Sequence, residues 1–323
     1  MLDVGHGNAA VIDGPDGTVI VDAGPGGGDL LRYLEDQAIK LVDCVVISHA
    51  DEDHLRGLLA ILESDSVEIK EVRVNANAIK ATDVWNDVVF SLANSDQAEE
   101  LDYRVSCVQG DDLPTVAVGV RLEVLGPVKE LAGHGPGWTD GSGATATTNS
   151  CSVVIRVFAG DDPIAMLPGD IDEMGLRFLL ERHTEIRAKV LVYPHHGGNV
   201  DEKSTAARNA AFAKALMAHV GPQSVLFSIS RMRYRNPRPE VVAAVRAADP
   251  GTRVACTQLS RNCRQALGHP PTSAFSHLLD LHARGSATNA CCAGTMRIAL
   301  DGAVTPDVTS HAAFIAAHAP SAL

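Results

Sequence analysis

The chain has 323 residues, of which 46% are hydrophobic and 21% are charged, and its net charge at pH 7 is −13. This composition is typical of a globular protein and excludes collagen-like, low-complexity and disordered classes. The acidic balance disfavours a non-specific grip on nucleic acid by the whole surface. No apolar run approaches the roughly 18 residues of a membrane helix, and we expect no membrane association.

The sequence contains seven cysteines, an odd number spread over a long chain. Disulfide frameworks are typical of short secreted domains with paired cysteines. The first residues show no basic and apolar leader of the kind that directs secretion. We therefore expect a reduced, cytoplasmic protein.

Short β-branched runs alternate with helical patterns along the chain. The predicted strands are Thr18–Asp22, Val42–Ser48, Arg121–Leu125, Ser152–Phe158, Ile164–Leu167, Lys189–Tyr193, Ser224–Ser228, Arg253–Thr257 and Met296–Leu300. The predicted helices are Asp29–Gln37, His54–Glu63, Asp83–Leu101, Asp172–His183, Glu202–Val220 and Pro239–Ala248. This mixture predicts an α+β fold of two mixed sheets with helices on their outer faces.

Two stretches interrupt this alternation. Residues 133–149 contain five glycines and many Ser and Thr residues, which predicts a long mobile loop. The chain also becomes loop-rich near residue 262, so we predict a main domain over 1–261 and an appended Cys- and His-containing segment over 262–323. The tail from Thr305 is expected to pack weakly or fray.

The sharpest chemical signal is the segment SHADEDH at residues 48–54, directly after an apolar strand and at the start of a predicted helix. Carboxylates and imidazoles crowded at one strand-to-helix turn would repel each other or need costly desolvation, unless they hold a cation. The alternative is an acidic surface turn with two chance histidines. The candidate ligands are His49, Asp51, Asp53 and His54.

Two later segments have the same character. LPGDID at residues 167–172 follows an apolar strand, and its Asp172 has the alternative role of capping the next helix, which is less natural for Asp170. YPHHGG at residues 193–198 places His195 and His196 between a strand and a double glycine. A histidine pair at a strand end favours metal binding or catalysis over a purely structural role.

The three segments, in this order, resemble the metallo-β-lactamase fold superfamily. They are most similar to the soluble C-terminal domain of ComEC/Rec2 competence proteins, and the resemblance covers roughly residues 1–260. Shorter matches to that branch are LDVGHGNA at 2–9, IVDAG at 20–24, LGP at 125–127, NSCS at 149–152 and YRNPRPE at 234–240. The resemblance implies a four-layer αββα sandwich with a metal centre at one edge.

The resemblance also implies two divalent metal ions, zinc or manganese, and a hydrolase that uses a metal-bound hydroxide. The implied metal ligands are His49, Asp51, Asp53, His54, Asp170 and His195. Asp170 would bridge the ions, and His195 would complete the second site. Asp53, Asp170 and His196 are the implied catalytic residues, with His196 contacting substrate or replacing a ligand.

The sequence departs from the family pattern at positions that concern the binding of the first ion. Many relatives have a third histidine where this chain has Asn149, and Asn236 and Arg238 replace histidines of the related segment. Weak binding of the first ion, or a one-metal enzyme, therefore stays open. Asp51 in place of a histidine makes the site richer in oxygen and shifts its preference toward manganese.

The arginine-rich stretch between Arg231 and Arg264 contains eight arginines and two acidic residues, which favours a phosphate-containing substrate. The predicted substrate-binding residues are Asn149, Arg231, Arg233, Arg235, Asn236 and Arg238. We expect a phosphodiesterase or nuclease acting on a nucleic acid or nucleotide. The alternatives are a hydrolase of a small ester, lactone or amide and a non-catalytic module with a degraded site. No protein partner can be identified from the sequence.

Four cysteines in the last quarter of the chain are candidates for a structural zinc site. They are Cys256, Cys263, Cys291 and Cys292. Their spacing lacks the paired Cys-x-x-Cys form, so buried thiols and a disulfide are the alternatives.

Overall fold

The computed structural model describes residues 1–263, 270 and 272–319. The strands in these residues are β1 (Ala9–Gly14), β2 (Gly17–Ala23), β3 (Leu41–Val42), β4 (Cys44–Ile47), β5 (Glu68–Ile69), β6 (Glu71–Val74), β7 (Asp102–Arg104), β8 (Val120–Gly126), β9 (Val154–Ala159), β10 (Asp162–Leu167), β11 (Val190–Val192), β12 (Ser224–Phe227), β13 (Arg253–Cys256), β14 (Arg297–Ile298) and β15 (Val304–Thr305). The helices are α1 (Asp29–Asp36), α2 (Glu52–Leu55), α3 (Gly57–Leu62), α4 (Asp83–Gln97), α5 (Lys129–His134), α6 (Glu173–Arg182), α7 (Ala206–Val220), α8 (Pro239–Ala248) and α9 (Val308–His318).

Two mixed sheets form the centre of the described structure. The first has the strand order β1-β2-β4-β6-β7, and the second has the order β13-β12-β11-β10-β9-β8. In the first sheet only β1 runs antiparallel to its neighbour, whereas in the second β10 to β13 are parallel and β8 to β10 are antiparallel. The two-sheet arrangement predicted from the sequence is thereby confirmed.

Side chains alternate between two cores because successive residues of a strand face opposite sides of its sheet. Val19 and Val21 of β2 pack between the sheets in the same cluster as Val190 and Val192 of β11. Ile20, between the two β2 valines, instead joins the cluster under the helices of the first half. Strands covered on both faces read as continuous apolar runs, which is why β4 is buried throughout.

Helices cover the outer face of each sheet. Residues of α1, α3 and α4 pack on the first sheet, and residues of α6, α7 and α8 pack on the second. The side chain of Asp172 accepts a hydrogen bond from the Gly175 amide at 2.9 Å and caps α6 as predicted. The layers therefore follow the predicted order helix, sheet, sheet, helix.

The parallel strands end at a shared edge, and the three polar segments follow these ends. Residues 48–54 follow β4, residues 168–172 follow β10, and residues 193–198 follow β11. Gly169 has a φ of +56°, and a Cβ there would lie 2.7 Å from the Cβ of Ser48. A glycine is thus required where the turn after β10 meets the turn after β4 across the two sheets.

The structure corrects several predicted elements. The helix predicted over His54–Glu63 is two short helices, α2 and α3, because the Gly57 amide turns to donate to the Gly24 carbonyl at 3.0 Å. Part of the predicted loop at 133–149 is ordered: Trp138 stacks on His134 at 4.1 Å. The tail expected to fray forms α9, and its Phe314 is buried.

The described part of the C-terminal segment packs against the beginning of the chain. Asp3 lies at the centre of this contact: it accepts hydrogen bonds from the side chain of Gln258 and the amide of Gly285, each at 2.9 Å. The Arg284 amide donates to the Asp3 carbonyl at 2.8 Å. Within the described residues, no helix is long and apolar enough to span a bilayer.

Candidate metal centre

Three buried side chains from the two sheets form the first cluster of the site. They are His49, His54 and Asp170, and their ligand atoms all lie within 4.8 Å of one another. The rings of His49 and His54 are 4.1 Å apart, and His54 Nε2 is 3.4 Å from Asp170 Oδ2. The Nε2 atoms of both histidines are buried without a hydrogen bond. Such atoms are costly to bury unless a ligand engages them.

A second cluster lies directly beside the first. It consists of His6, Asp53 and His196. Asp53 Oδ2 is 3.3 Å from His6 Nε2 and 3.2 Å from His196 Nε2. Asp170 Oδ2 is 3.6 Å from His196 Nε2, so this carboxylate lies between the two clusters. Buried imidazoles and carboxylates are ligands that zinc and manganese accept, and the residues present fit two divalent ions.

Residues behind the ligands fix their orientation. Asp22 Oδ2 is 2.7 Å from His54 Nδ1, and the Asp22 carboxylate also accepts from the amide and the hydroxyl of Ser48. A donor at Nδ1 leaves the Nε2 lone pair of His54 free for a ligand. The amide of His195 donates to Asp170 Oδ1 at 2.8 Å, which leaves Oδ2 facing the clusters.

The electrostatics of the site keep its carboxylates ionised. Burial opposes ionisation, but His196 and His54 hold the pKa of Asp53 and Asp170 well below the usual range. Burial likewise opposes the charged form of His54, yet the carboxylates of Asp22 and Asp170 raise its pKa well above the usual value. A metal ion at Nε2 of His54 would therefore compete with a proton.

Asp51 differs from the ligand role predicted for it. It belongs to neither three-residue cluster, and it forms an ion pair with Lys80. Its Oδ2 lies 3.5 Å from His49 Nε2. Although burial opposes it, His49 and Lys80 lower the pKa of Asp51. The carboxylate is thus next to the first cluster but is neutralised by an ammonium group.

The structure brings His196 and not His195 into a three-residue cluster, although His195 Nδ1 lies 3.8 Å from Asp170 Oδ2, so the ligand role of His195 stays a prediction. His195 Nε2 lies 3.1 Å from the carbonyl of Ile171, and the ring is in neither cluster. His196 occupies the cluster position instead, which was the alternative role given to it above. Both residues have left-handed backbone, with φ of 53° and 54°, and their rings make separate contacts.

His6 lies in the opening segment LDVGHGNA, but no predicted role falls on it. A single histidine in a loop carries no ligand spacing, so only the fold reveals it. The neighbouring Gly7 has a φ of +139°, and a Cβ there would lie 2.2 Å from the Asp53 carbonyl. Burial, with His196 contributing, lowers the pKa of His6 to about 3, so the ring stays neutral and free to bind a metal.

The predicted substrate-binding residues separate into two groups. Arg231 is a structural residue: its side chain is buried and donates to the carbonyl of Leu259 at 2.9 Å, so the predicted contact with substrate is wrong. Asn236 is also buried, and its carbonyl accepts a hydrogen bond from Ser260. Arg238 caps the start of α8, where its amide donates to the Gly197 carbonyl.

The remaining predicted residues are either exposed to solvent or have a side-chain atom without a hydrogen bond. Arg233 and Arg235 are exposed, and Arg233 lines a cleft that His6 also lines. The ring of Tyr234, absent from the predicted set, lies 4.3 Å from the ring of His6. Asn149 Oδ1 is buried without a hydrogen bond.

Cys256, Cys263 and Cys292 pack in one hydrophobic cluster, whereas Cys291 contacts Asp3 instead. Cys291 Sγ lies 3.6 Å from Asp3 Oδ2, whereas Cys292 Sγ lies 3.2 Å from His311 Nε2. In the part of the chain that the structure describes, no three His, Cys, Asp or Glu ligands besides the two clusters lie close enough to share an ion. No zinc site is therefore found at Cys256, Cys263, Cys291 and Cys292 among the described residues, and Cys256, Cys291 and Cys292 are buried thiols.

Comparison with known proteins gives a family match and several distant structural similarities. Residues 2–182 match the Metallo-beta-lactamase superfamily. No curated protein matches. A diphosphatase from the PhnP family shares 13% identity over 69% of this chain and 72% of its own, with a TM-score of 0.38.

Two further structures show similarity of the same order. Igni18, a metallo hydrolase from Ignicoccus hospitalis, shares 16% identity over 78% of this chain and 92% of its own, with a TM-score of 0.43. A hydrolase from Parabacteroides distasonis, described as metal-dependent, shares 14% identity over 78% of this chain and 90% of its own, with a TM-score of 0.40. The family match, by contrast, extends over more than half of the sequence and includes residues 48–54 and 167–172. This chain belongs to the metallo-beta-lactamase superfamily.

Proposed function

We propose that this chain is a hydrolase of phosphodiesters that uses two divalent metal ions. The observation that carries the proposal is the pair of adjacent clusters with Asp170 Oδ2 between them. Zinc and manganese are both compatible with the nitrogen and oxygen ligands. The relationship to the competence branch stays a prediction from the sequence.

Each cluster would hold one ion. His49 and His54 would bind the first and His6 and Asp53 the second, with Asp170 shared between them. His196 would complete the second site. When bound, such a pair supplies an activated water and polarises a phosphoryl oxygen.

The chain's own residues prepare the site for this chemistry. Asp22 and Ser48 fix the ring of His54, so that little reorganisation is needed when the ligand atom engages. The histidines of the first cluster are almost fully buried, which excludes bulk water from that side. The partly exposed Asp53 and His6 mark the side from which a substrate enters.

The exposed arginine beside the site favours a phosphodiester over a neutral ester. Arg233 lines a cleft together with His6, and guanidinium groups bind phosphate through paired hydrogen bonds. The net charge of −13 instead favours a small substrate over long duplex DNA. A small ester, lactone or amide is the second candidate, supported by this acidic balance.

Elemental analysis combined with hydrolysis of bis-(p-nitrophenyl) phosphate, in Mn²⁺ and in Zn²⁺, tests the proposal. We expect about two ions per chain and phosphodiester cleavage that Asp53→Ala abolishes. Asp43→Ala, which removes a carboxylate paired with Lys70 away from the site, is the matched control. Turnover of p-nitrophenyl acetate without any phosphodiester cleavage would support the second candidate. Absence of tight metal binding would overturn both and leave a non-catalytic module.

A further inference from the structure

A cleft lined by arginines opens beside the second cluster. Its volume is about 300 Å³. Three arginines line it: Arg56 at the junction of α2 and α3, Arg233 after β12, and Arg284 in the C-terminal segment. His6 lines the same cleft and belongs to the second cluster, so the cleft and the candidate metal centre are continuous.

The guanidinium groups are available to a ligand. Arg56 is 54% exposed and its ion pair with Glu52 is long, at 3.7 Å. Arg284 is 48% exposed and contacts Asp29 through Nη1 at 3.0 Å. The exposed pair of Arg56 with Glu52 contributes little, and Arg284 contacts the buried Asp29 through Nη1, so other N–H donors of each guanidinium remain for an anion.

Arg233 is the least neutralised of the three. Its guanidinium lies 5.5 Å from the ring centre of Tyr234, and no ion pair with an acid is found for it among the described residues. Its charge acts on His6, whose pKa Arg233 helps to lower. The floor of the cleft is bare because Gly5, Gly26 and Gly27 contribute no side chains.

The position of Arg284 is built into the fold. Its amide donates to the Asp3 carbonyl, and Asp3 Oδ1 accepts from the amide of Gly5, the residue before His6. The same carboxylate accepts from the amide of Gly285. Asp3 thereby connects the segments that carry His6 and Arg284, and both residues line the cleft.

We propose that Arg56, Arg233 and Arg284 form a phosphate subsite that binds a second phosphate group of the substrate, next to the diester that is cleaved. The proposal rests on the proposed phosphodiesterase function. Three guanidinium groups on an otherwise acidic molecule suit a compact dianion, and the fit is to a substrate with a terminal or neighbouring phosphate. An oligonucleotide and a dinucleoside polyphosphate share this chemistry.

The kinetic test compares substrates that differ only in the second phosphate. We measure kcat/KM for the dithymidine monophosphate TpT and for its 5′-phosphorylated form pTpT, using the metal-loaded enzyme. The wild type should prefer pTpT by about tenfold or more, the effect of one to two charge-assisted hydrogen bonds. Arg233→Gln and Arg284→Gln should lower this preference, the ratio of the two kcat/KM values measured for the same variant, to about twofold or less. Arg246→Gln, which removes an exposed arginine from α8, should keep the full preference.

A binding measurement keeps the subsite testable even without turnover. Inorganic pyrophosphate is titrated calorimetrically into the full chain after treatment with a chelator. The wild type and Arg246→Gln should bind it, whereas Arg233→Gln and Arg284→Gln should bind about tenfold more weakly. Equal binding by all four proteins would overturn the subsite.

The outcomes separate the subsite from the proposed function. Cleavage of TpT and pTpT at equal rates would overturn the subsite and leave the phosphodiesterase standing. Arginine-dependent binding of pyrophosphate without cleavage of any diester would support the subsite and overturn the phosphodiesterase. Diadenosine tetraphosphate serves as a third substrate. A rate that depends on the arginines with this compound, and not with pTpT, would identify a dinucleoside polyphosphate as the substrate class that the subsite binds.

Discussion

Residues behind the ligands fix the orientation of the ligand side chains. Among the members of the two clusters, Asp22 contacts only His54. Its carboxylate binds both the His54 ring and the Ser48 hydroxyl. The sequence shows Asp22 as the end of a predicted strand and within the IVDAG match, and neither feature assigns it a role behind His54. Its role depends on the meeting of β2 and β4 in the sheet, a contact that no local pattern contains.

Asp22→Asn tests this dependence. An amide can still contact Nδ1 but loses the charge that fixes the donor there, so we expect metal affinity to fall about 10- to 100-fold. Competition with a chelating dye measures the affinity for Zn²⁺ and Mn²⁺. Asp43→Asn, a control in the neighbouring strand connection, should bind metal like the wild type. Equal affinity of the two variants would show that Asp22 is not needed.

The adjacent histidines give a second test at this scale. His196→Ala removes a member of the second cluster, and we expect elemental analysis to find about one ion fewer per chain than in the wild type. His195→Ala removes a ring bonded to the Ile171 carbonyl, and this variant should keep both ions. Circular dichroism checks that each variant is folded. The reverse pattern would restore the ligand assignment made from the sequence.

His6 supplies a third test, since no sequence signal identified it. His6→Ala should lower the occupancy of the second cluster while leaving the first intact, because His49 and His54 do not contact it. Titration of metal-free protein with Mn²⁺ should then show one strong site. Two unchanged sites would remove His6 from the centre.

At the scale of elements, the turns after the strands position the chemistry. The turn after β10 approaches the turn after β4 so closely that only a glycine fits at residue 169. The contact holds Asp170, on the second sheet, against residues of the first. A small steric change at this point should therefore affect both stability and the site.

Gly169→Ala measures the contact, with Gly160→Ala as its control. Both residues have nearly the same φ, +56° and +58°, but a Cβ at Gly160 has open space around it. The control should lose about 1 kcal/mol of unfolding free energy from backbone strain. The test variant should lose roughly 2 kcal/mol more because Ser48 must move. Urea unfolding measures both, and equal losses would exclude the close contact.

The elements predicted correctly are those with a clear local signal in their own residues. Buried strands such as β4 and β11 have apolar runs, and α6 has a capping aspartate at its start. The strands that were missed lie at or near sheet edges, like β1 and the polar β7, where half-exposed residues give no clear period. The ligands of residues 48–54 were found because they are adjacent in sequence, whereas His6 was not.

At the scale of the whole molecule, the C-terminal helix contributes a buried titratable group far from the centre. His311 of α9 is 4% exposed, and its Nε2 contacts Cys292 Sγ. Burial, aided by Arg253 and His277, lowers its pKa from 6.5 to about 4. The tail expected to fray is thus packed into the structure through a buried histidine whose neutral form is favoured by burial.

This shift predicts a pH-dependent stability. Because the pKa of His311 is lower in the folded than in the unfolded chain, its contribution is complete above pH 6.5 and is lost as the pH falls toward 4. Between pH 7 and pH 4.5 the wild type should lose on the order of 2 kcal/mol from this residue. His311→Gln should lack that part of the loss, whereas His219→Gln, at an exposed position of α7, should keep it. Urea unfolding at pH 7 and pH 4.5 measures this loss in each variant. An identical loss of unfolding free energy in His311→Gln and His219→Gln would refute the role of His311.

The two clusters draw their members from both halves of the chain: His6, His49, Asp53 and His54 lie in segments next to strands of the first sheet, and Asp170 and His196 follow strands of the second. During synthesis the amino-terminal half emerges from the ribosome before the other. This half carries two imidazoles of the first cluster and one imidazole and one carboxylate of the second cluster. It therefore completes neither cluster on its own. Full metal binding would therefore require that the two sheets have packed together. The free energy of metal binding would then stabilise the complete fold relative to a state in which only the first half is folded.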